Sequence, residues 1–304
     1  MQLPEMPVPD LRTFILPQRA FLHSYRDQAL PARRVALRSS NERFQAVAGS
    51  TSGHEAQLAL LGLVGDAMQP IEDVGTMASA IMSGFQGLPF YVRATTYEAK
   101  QVNNFFAQLH KRAPEYFLRL CAFRLGDVSL HQLFRFEPPL TDGELSAFDN
   151  AERATAALLA EHLERMAKAW ERYRRIFHAY KHASLVANPD DVALLDQRGD
   201  VVAGLSVWAR GKPESAIGGH VEAPFASIAQ DLSDTGELAI DAVSYLIDTR
   251  LSSFDFVDIG ADGSVRPKGA KGVPWEFWMR KSDMAARDLD LLAGRRIVLA
   301  KASA

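Results

Sequence analysis

Leu159-Ala160-Glu161-His162-Leu163-Glu164-Arg165-Met166-Ala167-Lys168-Ala169-Trp170-Glu171-Arg172-Tyr173-Arg174-Arg175-Ile176-Phe177-His178-Ala179-Tyr180-Lys181-His182 is the most periodic stretch of the chain. Leu159, Leu163, Met166, Trp170, Tyr173, Phe177 and Tyr180 recur at steps of three and four, which places them on one face of a helix. Leu145 and Phe148 extend the stripe upstream, so the pattern predicts one helix over 142–184 with that stripe buried. At about 100° per residue, Glu164, Glu171, Arg175, His178 and His182 fall within about 60° of one another on the opposite face.

Further helices are expected outward from this one, at 53–68, 71–83, 89–112, 114–123 and 225–251. Pro70, the 84–89 segment, Pro114 and Pro138-Pro139 serve as breaks between them. Ser52 and Glu55, three apart before an apolar-periodic run, have the form of a capping box. Residues 1–50 carry Pro4, Pro7, Pro9, Pro17 and Pro31 with several arginines, the texture of an extended arm leading into irregular structure. After the long helix, Val192–Leu195 and Val201–Ala209 flank the turn-like Asp196–Asp200 and predict a β-hairpin. Trp275–Arg280 and Ile297–Ala300 are further strand candidates. The expected fold class is mainly α, a helical bundle with a C-terminal α+β extension containing a small antiparallel sheet. The expected organisation is an arm at 1–50, a bundle at 51–188 and the extension at 189–304.

Composition sets the outer limits. The 304 residues are 47% hydrophobic and 23% charged, as in folded globular proteins and unlike disordered chains. A formal net charge of −3 supplies no global attraction to nucleic acid or anionic membrane, so such binding must come from a local patch. Cys121, the single cysteine, lies in an apolar run and reads as a buried small hydrophobe in a reducing compartment. No basic leader with an apolar core opens the chain and no apolar run reaches membrane-span length, so the expected location is the cytoplasm, away from membranes.

The residues that carry chemistry cluster at the end of the long helix. Arg175 and His182 are seven positions apart, nearly two turns, and His178 sits one turn before His182. A guanidinium neutralises a phosphodiester through its planar fork of donors, and an imidazole exchanges protons near neutral pH. Arginine, six residues, then histidine near a helix end resembles the Arg-x(4–6)-His motif of HEPN domains, small helical bundles that commonly dimerise. Many of those are metal-independent RNases of toxin–antitoxin, CRISPR and anti-phage systems; others are non-catalytic.

The resemblance covers about 51–188. It implies Arg175, His182 and His178 as the catalytic set: Arg175 on the scissile phosphate, His182 as general acid or base for the ribose 2′-hydroxyl, and His178 assisting. Lys181, Arg174 and Glu171 would contact the substrate. It implies RNA as ligand, a homodimer, no metal or other cofactor, and a protein partner or antitoxin. One position departs: the family's arginine is usually followed by a polar residue, whereas Arg175 is followed by Ile176. The alternative is a non-catalytic dimeric interaction or scaffold protein, in which Glu171 and Arg175 form an ordinary i,i+4 pair and the basic residues favour the helix dipole.

Other constellations carry less. His178 and His182 have one-turn zinc-ligand spacing, with Glu171 or His162 as conceivable further ligands. His54-Glu55 begins a HExxH pattern, but Leu58 stands at its fifth position. Asp258–Gly263 looks like a calcium loop with glycines where oxygen ligands belong, and reads as a surface turn. Arg266, Lys268, Lys271, Arg280 and Lys281 surround Trp275 and Trp278, a mixture that can serve single strands but more simply anchors a strand. No phosphate loop, dinucleotide fingerprint or nucleophile elbow occurs.

Overall fold

The computed structural model describes residues 20–48, 53–82, 94–121, 124–125, 128–129, 134–137, 139–181, 204–208, 217–255, 257–259, 265–267 and 296–299. The chain is mainly helical, a helical bundle with short two-stranded antiparallel sheets. The principal helices are α1 (Leu30–Val47), α2 (Gly53–Met82), α3 (Ala99–Gln108), α4 (Asp142–Lys181) and α5 (Phe225–Asp255). A π-helical turn, Tyr25–Ala29, precedes α1, and 3-10 turns occupy Leu109–Lys111 and Pro114–Leu120. The strands are β1 (Arg124–Leu125), β2 (Val128–Ser129), β3 (Phe134–Glu137), β4 (Gly204–Trp208), β5 (Ile217–Glu222), β6 (Val257–Ile259), β7 (Val265–Pro267) and β8 (Arg296–Leu299), paired β1–β2, β3–β8, β4–β5 and β6–β7.

Three expectations for the helices change. Residues 20–48 are helical rather than an extended arm. Pro31, the one proline among them, stands where the π-helical turn Tyr25–Ala29 passes into α1, so its missing N–H falls at an irregular turn of the helix. Leu30, Leu37 and Phe44, seven apart, put an apolar edge into the core. Pro70 does not divide 53–83 into two helices but lies inside α2. Burial of Ala67, Met68, Ile71 and Val74 on both sides of it outweighs the one helical hydrogen bond that a proline cannot make. The 114–123 helix appears as a 3-10 turn ending at Leu120.

The expected 201–209 strand is present as β4, but its partner is the downstream β5, in register Leu205↔Val221. The segments 192–195 and 275–280 lie outside the described residues, as do Ser52 and the expected domain boundaries near 50 and 188. Ile297–Ala300 corresponds to β8, which pairs antiparallel with β3 from Phe134↔Leu299 to Glu137↔Arg296.

The chain divides into two compact units: residues 1–28, 76–161 and 242–304 form one, and 29–75 and 162–241 the other. In the first, α4 opens on a capping box. The Thr141 N–H donates to Glu144 Oε2 at 2.7 Å and the Glu144 N–H to Thr141 Oγ1 at 3.3 Å. Cys121 is buried there, its thiol directed at the carbonyl oxygens of Phe117 and Glu152, as a small core residue would be. Arg250 Nη2 donates to the Arg119 carbonyl at 3.1 Å.

The second unit holds α1, residues 53–75 of α2, residues 162–181 of α4 and residues 225–241 of α5, with the β4–β5 pair. Its core is built from Leu37, Phe44, Leu60, Leu63, Val64, Met68, Ile71, Leu163, Met166, Trp170, Tyr173, Phe177, Ile228 and Leu232. Gly236 lets α5 approach closely, since a Cβ there would come within 2.9 Å of Leu37 and 3.2 Å of Ala67. Ion pairs frame this core: Arg33–Asp73 at 3.3 Å, Arg34–Asp241 at 2.8 Å and Arg38–Glu237 at 3.3 Å.

Candidate functional site at the end of helix α4

The second half of α4 buries the expected stripe. Leu163, Met166, Trp170, Tyr173 and Phe177 are each at most 2% exposed, and Ala169 and Ile176 join them. Tyr180 is the exception at 43% exposure. It lies over Gly65 of α2, where any Cβ would overlap its ring. Ile176 is 1% exposed. The position after Arg175 therefore serves the core, which explains why it is apolar here.

Several polar groups on the flanks of this stripe are matched. The Tyr173 hydroxyl donates to Asp231 Oδ2 at 2.7 Å, and burial, reinforced by that acidic partner, pushes its pKa far above the ordinary phenol value. It acts as a neutral donor. Arg172 pairs with the same carboxylate at 3.5 Å, and Arg165 with Asp234 at 3.7 Å. Lys168 pairs with Glu164 one turn back at 3.0 Å.

The sequence-predicted site residues that the structure describes separate into three groups. Glu171 and Arg175 are exposed. They do not form the i,i+4 pair expected of them, and Arg175 has no ion-pair or hydrogen-bond partner among the described residues. His178 and Arg174 are half-buried. The His178 ring stands 6.0 Å from Trp170, nearly perpendicular to it at 83°, and 5.9 Å from Phe177. Lys181 is engaged inward: its ammonium pairs with Glu72 of α2 and lies 4.6 Å from the centroid of the Phe177 ring. His182 lies outside the described residues.

α4 thus brings Arg175 and His178 to one end of the helix, three positions apart, with Arg175 open to a ligand and His178 held against two aromatic rings. A fork of donors free to meet an oxyanion beside a fixed imidazole can bind a phosphodiester and exchange a proton. Glu72 and Gly65 were not singled out in the sequence. The signal for Glu72 was present: an acid one turn from Met68 and next to Ile71, on an apolar stripe where a carboxylate needs a cation.

No group of three or more His, Cys, Asp or Glu side chains among the described residues could hold a metal ion. No helix among them is long and apolar enough to cross a membrane. No protein family, curated protein or solved structure matches the chain.

Proposed function

We propose that the end of α4 contacts the phosphate backbone of RNA in a HEPN-like, RNA-directed protein, and that its activity is metal-independent endoribonucleolysis in a toxin or anti-phage defence system. The observation that carries this reading is Arg175. Arg165, Lys168, Arg172 and Lys181 on the same half-helix are each paired with an acid, while Arg175 is exposed and unpaired among the described residues, with Glu171 one turn away left unused. Support of a second kind is the Arg175-x6-His182 spacing, which resembles the HEPN motif.

In this reading Arg175 takes the non-bridging phosphate oxygens and neutralises the charge that grows on them. An imidazole, His182 with His178 assisting, removes the proton of the ribose 2′-hydroxyl as its oxygen attacks phosphorus. The phosphorus–O5′ bond breaks, and the leaving oxygen takes a proton from the conjugate acid, leaving a 2′,3′-cyclic phosphate and a 5′-hydroxyl. The protein would work in the cytoplasm as a homodimer, with a protein partner or antitoxin restraining it.

A second reading, a non-catalytic dimeric interaction or scaffold protein, draws on the inward engagement of Lys181 and the burial of Ile176, which leave a shorter polar stripe than a full motif. RNA cleavage in metal-free buffer by the native protein, Arg175→Ala and His182→Ala separates the two. The catalytic reading expects each variant to lose about 10²-fold or more in rate. Equal rates in all three proteins would sink it and leave the scaffold.

A further inference from the structure

The last turn of α4 is tied down on the side away from Arg175. Tyr180 rests over Gly65, and Lys181 donates to Glu72, seven positions further along α2 and thus on the same face. The Glu72 side chain is only 3% exposed, and it also accepts from Gln69 Nε2 at 3.2 Å. A carboxylate so far withdrawn from water needs its cation in one place, which makes the pair directional in a way that exposed pairs are not. Turning α4 about its axis by one residue would swing Lys181 about 100° away from Glu72. The same ammonium lies over Phe177, whose ring meets His178 at 5.9 Å and Trp170 at 6.0 Å, so a shift at Lys181 passes through packed rings to the imidazole.

We infer that Glu72 is a positioning residue: acting through Lys181, it sets the rotation of the last two turns of α4 and with it the direction in which Arg175 and His178 meet an RNA phosphate. This rests on the RNA-directed reading of the same helix end. Glu72 touches no substrate. It holds the two turns that carry the groups that do.

The test uses the full chain with a labelled single-stranded RNA in metal-free buffer, alongside the histidine ring resonances in NMR spectra. Those of His178 are sensitive to its placement because two aromatic rings lie within 6.0 Å. Glu72→Gln keeps the shape and removes the charge. It should move the His178 resonances and weaken RNA binding about tenfold, as expected when a site loosens by a fraction of an ångström. The exchange variant Glu72→Lys with Lys181→Glu should bring both readouts back towards native values. A purely stabilising role would lower the melting temperature while leaving resonances and affinity native well below it, and that result overturns the inference. Should Glu72→Gln fail to fold, Lys181→Gln, altered at the more exposed member, is read in the same way. If the native protein binds no RNA, the functional reading fails, while the His178 resonances of the variants still decide whether Glu72 positions the turn.

Discussion

Helix α1 and the end of α4 are both rich in arginine, and one arginine of α4, Arg175, is used in the opposite way from those of α1. Arg33, Arg34 and Arg38 of α1 each meet an acid of α2 or α5, at 2.8–3.3 Å. They brace the helix against its neighbours. Arg175 stands on an equally polar face and meets none among the described residues. A cluster of arginines is thus an ambiguous sign. What separates a brace from a display is whether the facing element supplies carboxylates, and that depends on which helices the fold brings opposite.

The contrast can be attacked at several strengths. The largest effect should come from Phe44→Ala on α1. The ring is 1% exposed, and its loss should cost about 3–5 kcal/mol in urea unfolding if α1 is an integral helix. A cost below about 1 kcal/mol would return α1 to the status of an arm. Next is Gly65→Ala, which forces a methyl group against the Tyr180 ring and should cost about 1 kcal/mol net, the overpacking being partly offset by the helix preference of alanine. Stability unchanged in that variant would mean that the end of α4 is not seated on α2 as described. The smallest effects form a pair. Arg34→Ala breaks partly exposed ion pairs and should cost about 0.5 kcal/mol, less at high salt. Arg175→Ala has no pair to lose and should leave the unfolding midpoint in place. A loss for Arg175→Ala as large as for Arg34→Ala would erase the distinction between Arg175 and the arginines of α1.

Much of α4 was legible because its signal is local: the three-and-four spacing of Leu163, Met166, Trp170, Tyr173 and Phe177 needs no knowledge of the rest of the chain. The same logic placed Arg175 and Glu171 on the exposed face. It could not show that these two would stay unpaired, or that Lys181 would turn inward, because both outcomes depend on α2. Tyr180 lies on the edge of the buried stripe, and whether it goes inside or out is decided by Gly65.

The N-terminal prolines mask the signal of Leu30, Leu37 and Phe44, whose seven-residue spacing marks the buried edge of α1. Pro70 was read by its local cost, while burial on both sides of it decided the outcome. The β3–β8 pairing joins segments about 160 residues apart, and the alternation of each strand taken alone names no partner.

Each passage of the chain from one compact unit to the other falls inside a helix: between Gln28 and Ala29 in the π-helical turn, 75 and 76 in α2, 161 and 162 in α4, and 241 and 242 in α5. None of these junctions is a linker. A protease that cuts at exposed loops therefore has no bond whose cleavage would release the unit bearing Arg175 intact, and no gene fragment ending in a loop encodes that unit alone. Recombination with breakpoints in loops could pass on the helix end only together with the chain that surrounds it.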